Sequence, residues 1–507
     1  MSLISHAIEA MGSQSGAPAP ARLASSIGMW SLVKDWWGVP LALRKPTEKA
    51  VGTPQYTAAR RQNMKIEYAL FRAVLSPEIH IFPVEEDAAE LVLPEGCETD
   101  AAAPKIGARF IDTPLPSAAV AGARFIHEFE VTNASNTSVP RRHIVLVHGY
   151  MAAMGYFLKN VEAIARSYPN LVVHVIDMPG FGNSARPEFP SALLRLPGGA
   201  SRADEIAQII GVENWFIDQL EEWRREKNLV HFGLVGHSMG AYICSCYLLK
   251  YNRPDARIVD RFILVSPMGT ESSDISLINN RKLQFNHHDV ASDPLQEIFA
   301  SQDFEHEDNK EDDWFHLWER LGKPRFPRNA VLKALWNNNI SPFQLLQTFG
   351  PFYSKLLSFW SFQRFQNLSA NFVEPAADEK PGGAKPQNAD LILKLHEYSF
   401  SIFNQYQASG ELAITKLINH EIVPRIPLCD RGFVEYLNDA KIKTLWMYGD
   451  RDWMNSKGGE YCVEKLRGLS DPDADLVVLK NAGHHLYLDN PEEFNNAVIG
   501  FFEPRPC

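Results

Sequence analysis

The sequence predicts an α/β fold: a mostly parallel sheet with helices on both faces and a large helical insertion ahead of the last two strands. Three observations predict it. From about Arg142, short β-branched runs alternate with helix-length segments. The runs read as strands buried on both faces, as in a parallel sheet. Residues 271–440 interrupt the alternation, which resumes at 441.

Taken in order, 143–150 (HIVLVHGY) reads as a strand and 152–168 as a helix. A second strand spans 171–180, a helix 203–227, and a third strand 229–240 runs directly into another helix. A fourth strand spans 261–269. Two more follow much later, at 441–450 and 473–483, with a closing helix from about Pro491. Two strand-like stretches between Ala108 and Val131 are expected to form the antiparallel edge. The stretch 271–440 far exceeds the about 4–6 residues of an ordinary connection. It is expected to be a helical cap over the carboxyl ends of the strands. Within it, 374–390 (EPAADEKPGGAKPQNAD) reads as a disordered loop. The resulting division is an N-terminal extension at 1–100, partly disordered, core at 101–270, cap at 271–440 and core again at 441–507.

Composition narrows the function. A chain of 507 residues with a formal charge of -11 lacks the basic surface that nucleic-acid binding calls for. Six scattered cysteines form no CxxC array with a histidine partner, so their spacing indicates neither a zinc site nor a disulfide framework. No run of 18 apolar residues is present, which predicts no transmembrane helix. The first 34 residues contain Arg22, Lys34, one acid (Glu9) and many Ser and Ala. That composition suits a mitochondrial presequence and a disordered tail alike.

The chemistry is carried by three strand ends. Gly236-His237-Ser238-Met239-Gly240 has the G-x-S-x-G form and falls where a buried strand gives way to a helix. Such a turn forces the serine into a strained conformation and lifts its hydroxyl above the sheet. A serine needs a base to take its proton. His484 follows the last strand, with His485 as the competitor. Asp452 follows the preceding strand and suits the role of orienting that histidine, with Asp450 as the alternative. The Gly149 turn brings the Tyr150 N–H toward Ser238, where it and the Met239 N–H would form an oxyanion hole. The turn at 177–184 (DMPGFGNS) lacks dinucleotide spacing and is expected to wall the nucleophile's site.

These motifs carry a resemblance. Residues 148–160 (HGYMAAMGYFLKN), 177–187 (DMPGFGNSARP), 236–242 (GHSMGAY) and 483–495 (GHHLYLDNPEEFN) are similar to those of the lipid-acting α/β-hydrolases. That group includes lysophospholipases, a lipid-droplet lipase coactivator and mitochondrial cardiolipin-specific deacylases. The likeness extends more weakly to 404–412 (NQYQASGEL). It implies an α/β-hydrolase fold, a Ser-His-Asp triad of Ser238, His484 and Asp452, no cofactor or metal, and a phospholipid substrate, cardiolipin foremost. The coactivator branch has asparagine at the nucleophile position, whereas this chain has Ser238. The group also carries an H-x4-D motif associated with acyl transfer to lysophosphatidic acid, matched here by His484 and Asp489. Capping of the closing helix is the expected role of Asp489.

A basic stretch in the cap bears on the substrate. Residues 320–373 hold seven Arg or Lys and no acid: Arg320, Lys323, Arg325, Arg328, Lys333, Lys355 and Arg364. Eight aromatics, Phe359 and Trp360 among them, fall between Phe343 and Phe365. Basic heads attract anionic lipids at about 1 kcal/mol each, and Trp and Phe favour the headgroup boundary. The expectation is a peripheral cap on an anionic membrane surface, mitochondrial, with cytoplasmic membrane faces or lipid droplets as the alternative. The acidic stretch 303–313 is the competing partner for this basic face. The expected activity is deacylation of an anionic glycerophospholipid through an acyl-enzyme. The rivals are acyl transfer from acyl-CoA to lysophosphatidic acid and a non-catalytic lipase coactivator.

Overall fold

The computed structural model describes residues 41–82 and 106–503, apart from 119, 121, 254–256, 273–274, 279–329, 405, 421, 470–472 and most of 349–386. Nine strands form one sheet in the order β1-β2-β3-β5-β4-β6-β7-β8-β9. These are His80–Phe82, Ile106–Pro114, Phe125–Asn133, Arg142–Val147, Leu171–Ile176, Gly233–His237, Arg261–Val265, Lys443–Gly449 and Ala474–Leu479. All pairs from β5 to β9 are parallel, while β3 runs antiparallel to β2 and β5. The strands predicted from the sequence are all present; β4, β5, β6, β7 and β9 end three or four residues before their apolar runs.

Successive residues of a strand face opposite sides of the sheet, and here both sides are apolar. Val145, Val147, Phe262 and Leu264 join one core layer, while Ile144, Leu146, Ile263 and Val265 join the other. A sheet buried on both faces is the consequence, with helices over each. The helices used below are α1 (Pro54–Arg72), α2 (Val161–Arg166), α3 (Arg202–Glu226), α4 (Met239–Tyr251), α5 (Ala330–Asn337), α6 (Pro342–Thr348), α7 (Gln387–Asn404), α8 (Phe433–Asp439), α9 (Lys457–Gly468) and α10 (Pro491–Phe502). Helix α3 starts with a capping box in which Ser201 and Asp204 satisfy each other's backbone N–H. Among the described residues no helix is long and apolar enough to cross a membrane.

Four expectations need correction. The β2–β3 pair is not the edge, because β1 adds parallel to β2 outside it. Residues 41–82 are part of the folded body rather than an appendage: α1 packs on cap helix α7, and Phe71 stacks on Phe129 of β3. The helix expected at 152–168 is broken into a 3-10 turn at Met154–Phe157 and α2. Within the loop expected at 374–390, residues 387–390 open helix α7, and 374–386 lie outside the described residues. At the other end of the cap, α8 packs on α4 and α9 as the crossover into β8.

Candidate active site

Ser238 stands between β6 and α4 with φ 52° and ψ -118°. This sparsely populated positive-φ conformation costs a non-glycine residue about 1–3 kcal/mol, and close packing holds it there. A Cβ on Gly236 would lie 2.7 Å from Ala241 Cα, and one on Gly240 2.2 Å from the His148 carbonyl oxygen. Both glycines of the motif are therefore required by the turn. The Ser238 N–H donates to Val265 O at 2.9 Å, tying the turn to the neighbouring strand.

The structure brings together the three side chains singled out in the sequence. Ser238 Oγ lies 3.0 Å from His484 Nε2, and His484 Nδ1 lies 3.1 Å from Asp452 Oδ1. The Asp452 carboxylate also accepts from Ser266 Oγ, and from the Met454 N–H at 2.9 Å. Burial would raise this carboxyl, but His484 and these donors outweigh it and hold it below the usual carboxylate range. The alternatives separate cleanly. Asp450 is exposed and accepts from the Ala482 N–H at 3.0 Å, a loop-closing bond. His485 turns away into a ring cluster with His237, Tyr156 and Tyr487, and burial holds its imidazole well below the ordinary value.

The Gly149 turn lies against Ser238. A Cβ at 149 would fall 2.9 Å from Ser238 Cβ and 2.8 Å from His237 Nδ1. Met239 opens α4, so its N–H has no acceptor within the helix. Neither it nor the Tyr150 N–H has a backbone acceptor among the described residues. His148 is held neutral: burial lowers it to about 4, Nδ1–H donates to Gly149 O at 2.8 Å, and Nε2 accepts from the Met178 N–H at 3.0 Å. The turn at 177–184 folds around Asp177, whose carboxylate accepts from the N–H groups of Met154 and Asn183. Its far end docks on the cap through a buried ion pair between Arg186 and Glu411. A Cβ on Gly180 would meet Gly410 N at 2.4 Å, so the two segments 177–187 and 404–412 pack backbone to backbone.

Two residues at this site, His237 and Trp453, had no role assigned from the sequence, and a third, Asp489, takes a different role from the one expected. His237 Nε2–H donates to the His484 carbonyl oxygen at 2.8 Å, and the Tyr487 hydroxyl donates to its Nδ1 at 3.3 Å. Trp453, 42% exposed, places its ring 4.4 Å from the His484 ring. Asp489 does not cap the closing helix; Asn490 does, accepting from the Glu493 N–H. The buried Asp489 carboxylate instead accepts from the Gly483 N–H at 2.8 Å and so closes the loop that carries His484. Of the cap's basic stretch, Arg320, Lys323, Arg325, Arg328, Phe359 and Trp360 lie outside the described residues. Lys333 is exposed. Arg364 donates to Met151 O at 2.8 Å with its guanidinium 4.5 Å from the Tyr156 ring centre.

Comparison with known proteins agrees with this architecture. The chain is 28% identical to a 1-acylglycerol-3-phosphate O-acyltransferase of Arabidopsis thaliana, over 70% of this chain and 65% of that protein, just under two thirds of its length. It is 24% identical to the human (lyso)-N-acylphosphatidylethanolamine lipase, over 71% of this chain and 78% of that protein. Among solved structures, the carboxylesterase CesB of Bacillus subtilis matches with a TM-score of 0.41 and 12% identity, covering 88% of this chain and 98% of that one. The family model described as the alpha/beta hydrolase fold matches residues 142–491, more than half of the chain, which therefore belongs to the α/β-hydrolase family.

Proposed function

We propose that this protein is a serine acyl-ester hydrolase of membrane phospholipids, with Ser238 as nucleophile, His484 as base and Asp452 as the residue orienting it. The observation that carries this reading is the unbroken chain of contacts, 3.0 Å from Ser238 Oγ to His484 Nε2 and 3.1 Å from His484 Nδ1 to Asp452. In the first half-reaction Ser238 Oγ bonds to the ester carbonyl carbon as its proton passes to His484 Nε2. The oxyanion is received by the N–H groups of Tyr150 and Met239. The ester C–O bond then breaks, and His484 returns the proton to the departing lysolipid oxygen. In the second half-reaction a water oxygen bonds to the acyl carbon as its proton passes to His484, the bond to Ser238 Oγ breaks with return of that proton to Oγ, and the fatty acid leaves.

An anionic glycerophospholipid, cardiolipin-like in headgroup charge, is the proposed substrate, taken from a membrane surface and in particular a mitochondrial one. Support comes from the seven basic residues and clustered aromatics of 320–373. Trp453 beside His484 adds an exposed aromatic at the mouth of the site. Mass-spectrometric product analysis on vesicles of defined phospholipids tests the reading: lysolipid and free fatty acid should appear from anionic lipids and vanish in Ser238→Ala. Unchanged lipid in every vesicle would remove it.

One second reading has its own support, an acyltransferase in which a lysophosphatidic acid hydroxyl replaces water at the acyl-enzyme. The Arabidopsis relative is named for such a transfer, and Asp489 braces the loop of His484. New phosphatidic acid formed from acyl-CoA and lysophosphatidic acid in water would favour it over hydrolysis. A coactivator that turns nothing over is disfavoured by the presence of Ser238.

A further inference from the structure

Three strands away from β6 and Ser238, the sheet carries a buried polar cluster that the proposed reaction does not use. Glu128 and Glu130 of β3 and His174 of β5 project from the same face, the one covered by the end of α3, where Trp223 packs its ring 5.8 Å from that of His174. All three side chains are buried. His174 Nδ1 lies 3.5 Å from Glu128 Oε2 and 3.6 Å from Glu130 Oε2. These separations are too long for hydrogen bonds. They match the edges of a coordination polyhedron, since bonds of about 2.1 Å to a tetrahedral ion set ligand atoms about 3.4 Å apart.

Two further observations point to a ligand. Glu128 Oε2 and His174 Nδ1 are buried without a hydrogen-bond partner among the described residues, and both face this point. A buried polar atom left unmatched is costly, which makes two facing one point informative. Two of the three, Glu130 and His174, also line an open cavity of about 540 Å³, with His143 and Lys227 among its other walls, which gives an ion a way in. Behind His174, its Nε2 lies 3.0 Å from His143 Nδ1. With Nε2–H donating to His143, Nδ1 is left bare toward the carboxylates, the tautomer a metal-bound imidazole needs.

We propose that Glu128, Glu130 and His174 form a binding site for a divalent transition-metal ion of the zinc type, clamping β3 to β5 at a distance from the catalytic serine. One nitrogen and two carboxylate oxygens leave a fourth position open toward the cavity. The Lys227 ammonium currently bridges the two carboxylates, contacting Glu128 and lying 2.9 Å from Glu130 Oε2. It is the cation that the ion displaces, swinging into the cavity that it already lines. The sequence hid this site because its three ligands lie in two strands brought together only by sheet pairing.

The test uses the full chain, stripped with a chelator and titrated with Zn²⁺ or Co²⁺ alone, with circular dichroism as the check on folding. One ion per chain is expected, with the visible absorption of ligand-bound Co²⁺. Affinity should fall in Glu128→Gln and His174→Gln, and by about tenfold in His143→Phe, which removes only the supporting contact. Lys227→Met leaves the buried Glu128 without its cation and Glu130 with Arg109 alone, so its melting temperature should drop without metal and recover with Zn²⁺. That gain cannot come from misfolding. An absence of bound metal in both the unaltered chain and Lys227→Met, or equal binding after His174→Gln, would overturn the proposal.

Discussion

The imidazole of His237, the residue before Ser238, donates from Nε2 to the backbone carbonyl of His484 at 2.8 Å. The strand end that bears Ser238 thereby grips the loop that bears its partner. Burial and the nearby His484 hold the His237 imidazole well below its ordinary value, so it stays neutral and keeps one fixed donor. Replacing it should let His484 drift. His237→Phe is expected to lower kcat by about 10- to 100-fold with KM little changed, the cost of a displacement on the order of 1 Å. Kinetics on a soluble ester check this, and an unaltered kcat would show that His484 is held by other means.

The Asp452 carboxylate should matter more than its distance from the reacting atoms suggests. Asp452→Asn keeps the shape while presenting a donor to His484 Nδ1 and reversing the tautomer. A loss in kcat of about 10⁴-fold is expected. Ser266→Ala removes one donor to the same carboxylate, and a loss of about tenfold or less is expected. If the two variants were equally impaired, the carboxylate's role would be placement alone.

A methyl group at position 149 has no room, with Ser238 Cβ at 2.9 Å and His237 Nδ1 at 2.8 Å. Gly149→Ala is therefore expected to cost about 1–3 kcal/mol in stability, as overpacking does. Activity should fall further than stability, because the Tyr150 N–H is pushed from Ser238. Denaturant unfolding alongside activity separates the two effects.

Much of the fold was legible because both core layers leave a mark on the strands: runs such as LVVHVI at Leu171–Ile176 can only be buried on two sides. The site was legible where a motif marks a strand end, as at Ser238, Asp452 and His484. What escaped arises from contacts distant in sequence. The expected helix at 152–168 breaks because Asp177 captures the Met154 N–H and Gly155 packs on the Tyr398 ring, where a Cβ would lie 2.5 Å away. Neither event is written in residues 152–168. Helix α1 did carry a signal, Thr53 as N-cap, Pro54 at the first turn and buried Met64, Leu70 and Phe71 behind them.

Helix α1 is anchored by a buried imidazole. His127 lies 2.8 Å from Glu67 of α1 and 2.7 Å from Asp112 of β2. Burial opposes its charge, but the two carboxylates overcome that and raise it to about 10. A histidine raised above its unfolded value of about 6.5 stabilises the fold fully below that pH. The contribution is lost as pH climbs through about 10. The melting-temperature gap between the unaltered chain and His127→Gln should therefore be widest near pH 6 and shrink toward pH 10. A gap that widens with pH would contradict the assignment of a charged His127.

Glu213 of α3 and Arg431, just ahead of α8, form a fully buried pair in which Arg431 also reaches Tyr242 of α4. Breaking one side leaves an uncompensated charge, so Arg431→Ala is expected to cost about 3–5 kcal/mol. Replacing both partners with apolar residues should cost much less, and a double-mutant cycle in urea measures the difference.

The central claim is that the Ser238 hydroxyl is the activated nucleophile. Its most direct test is intact-protein mass spectrometry after exposure to a fluorophosphonate, with peptide mapping of the adduct. The account predicts one phosphonyl group on Ser238, strong slowing of labelling in His484→Ala, and none in Ser238→Ala. Labelling at another residue, or a chain that stays unmodified while folded, would contradict it.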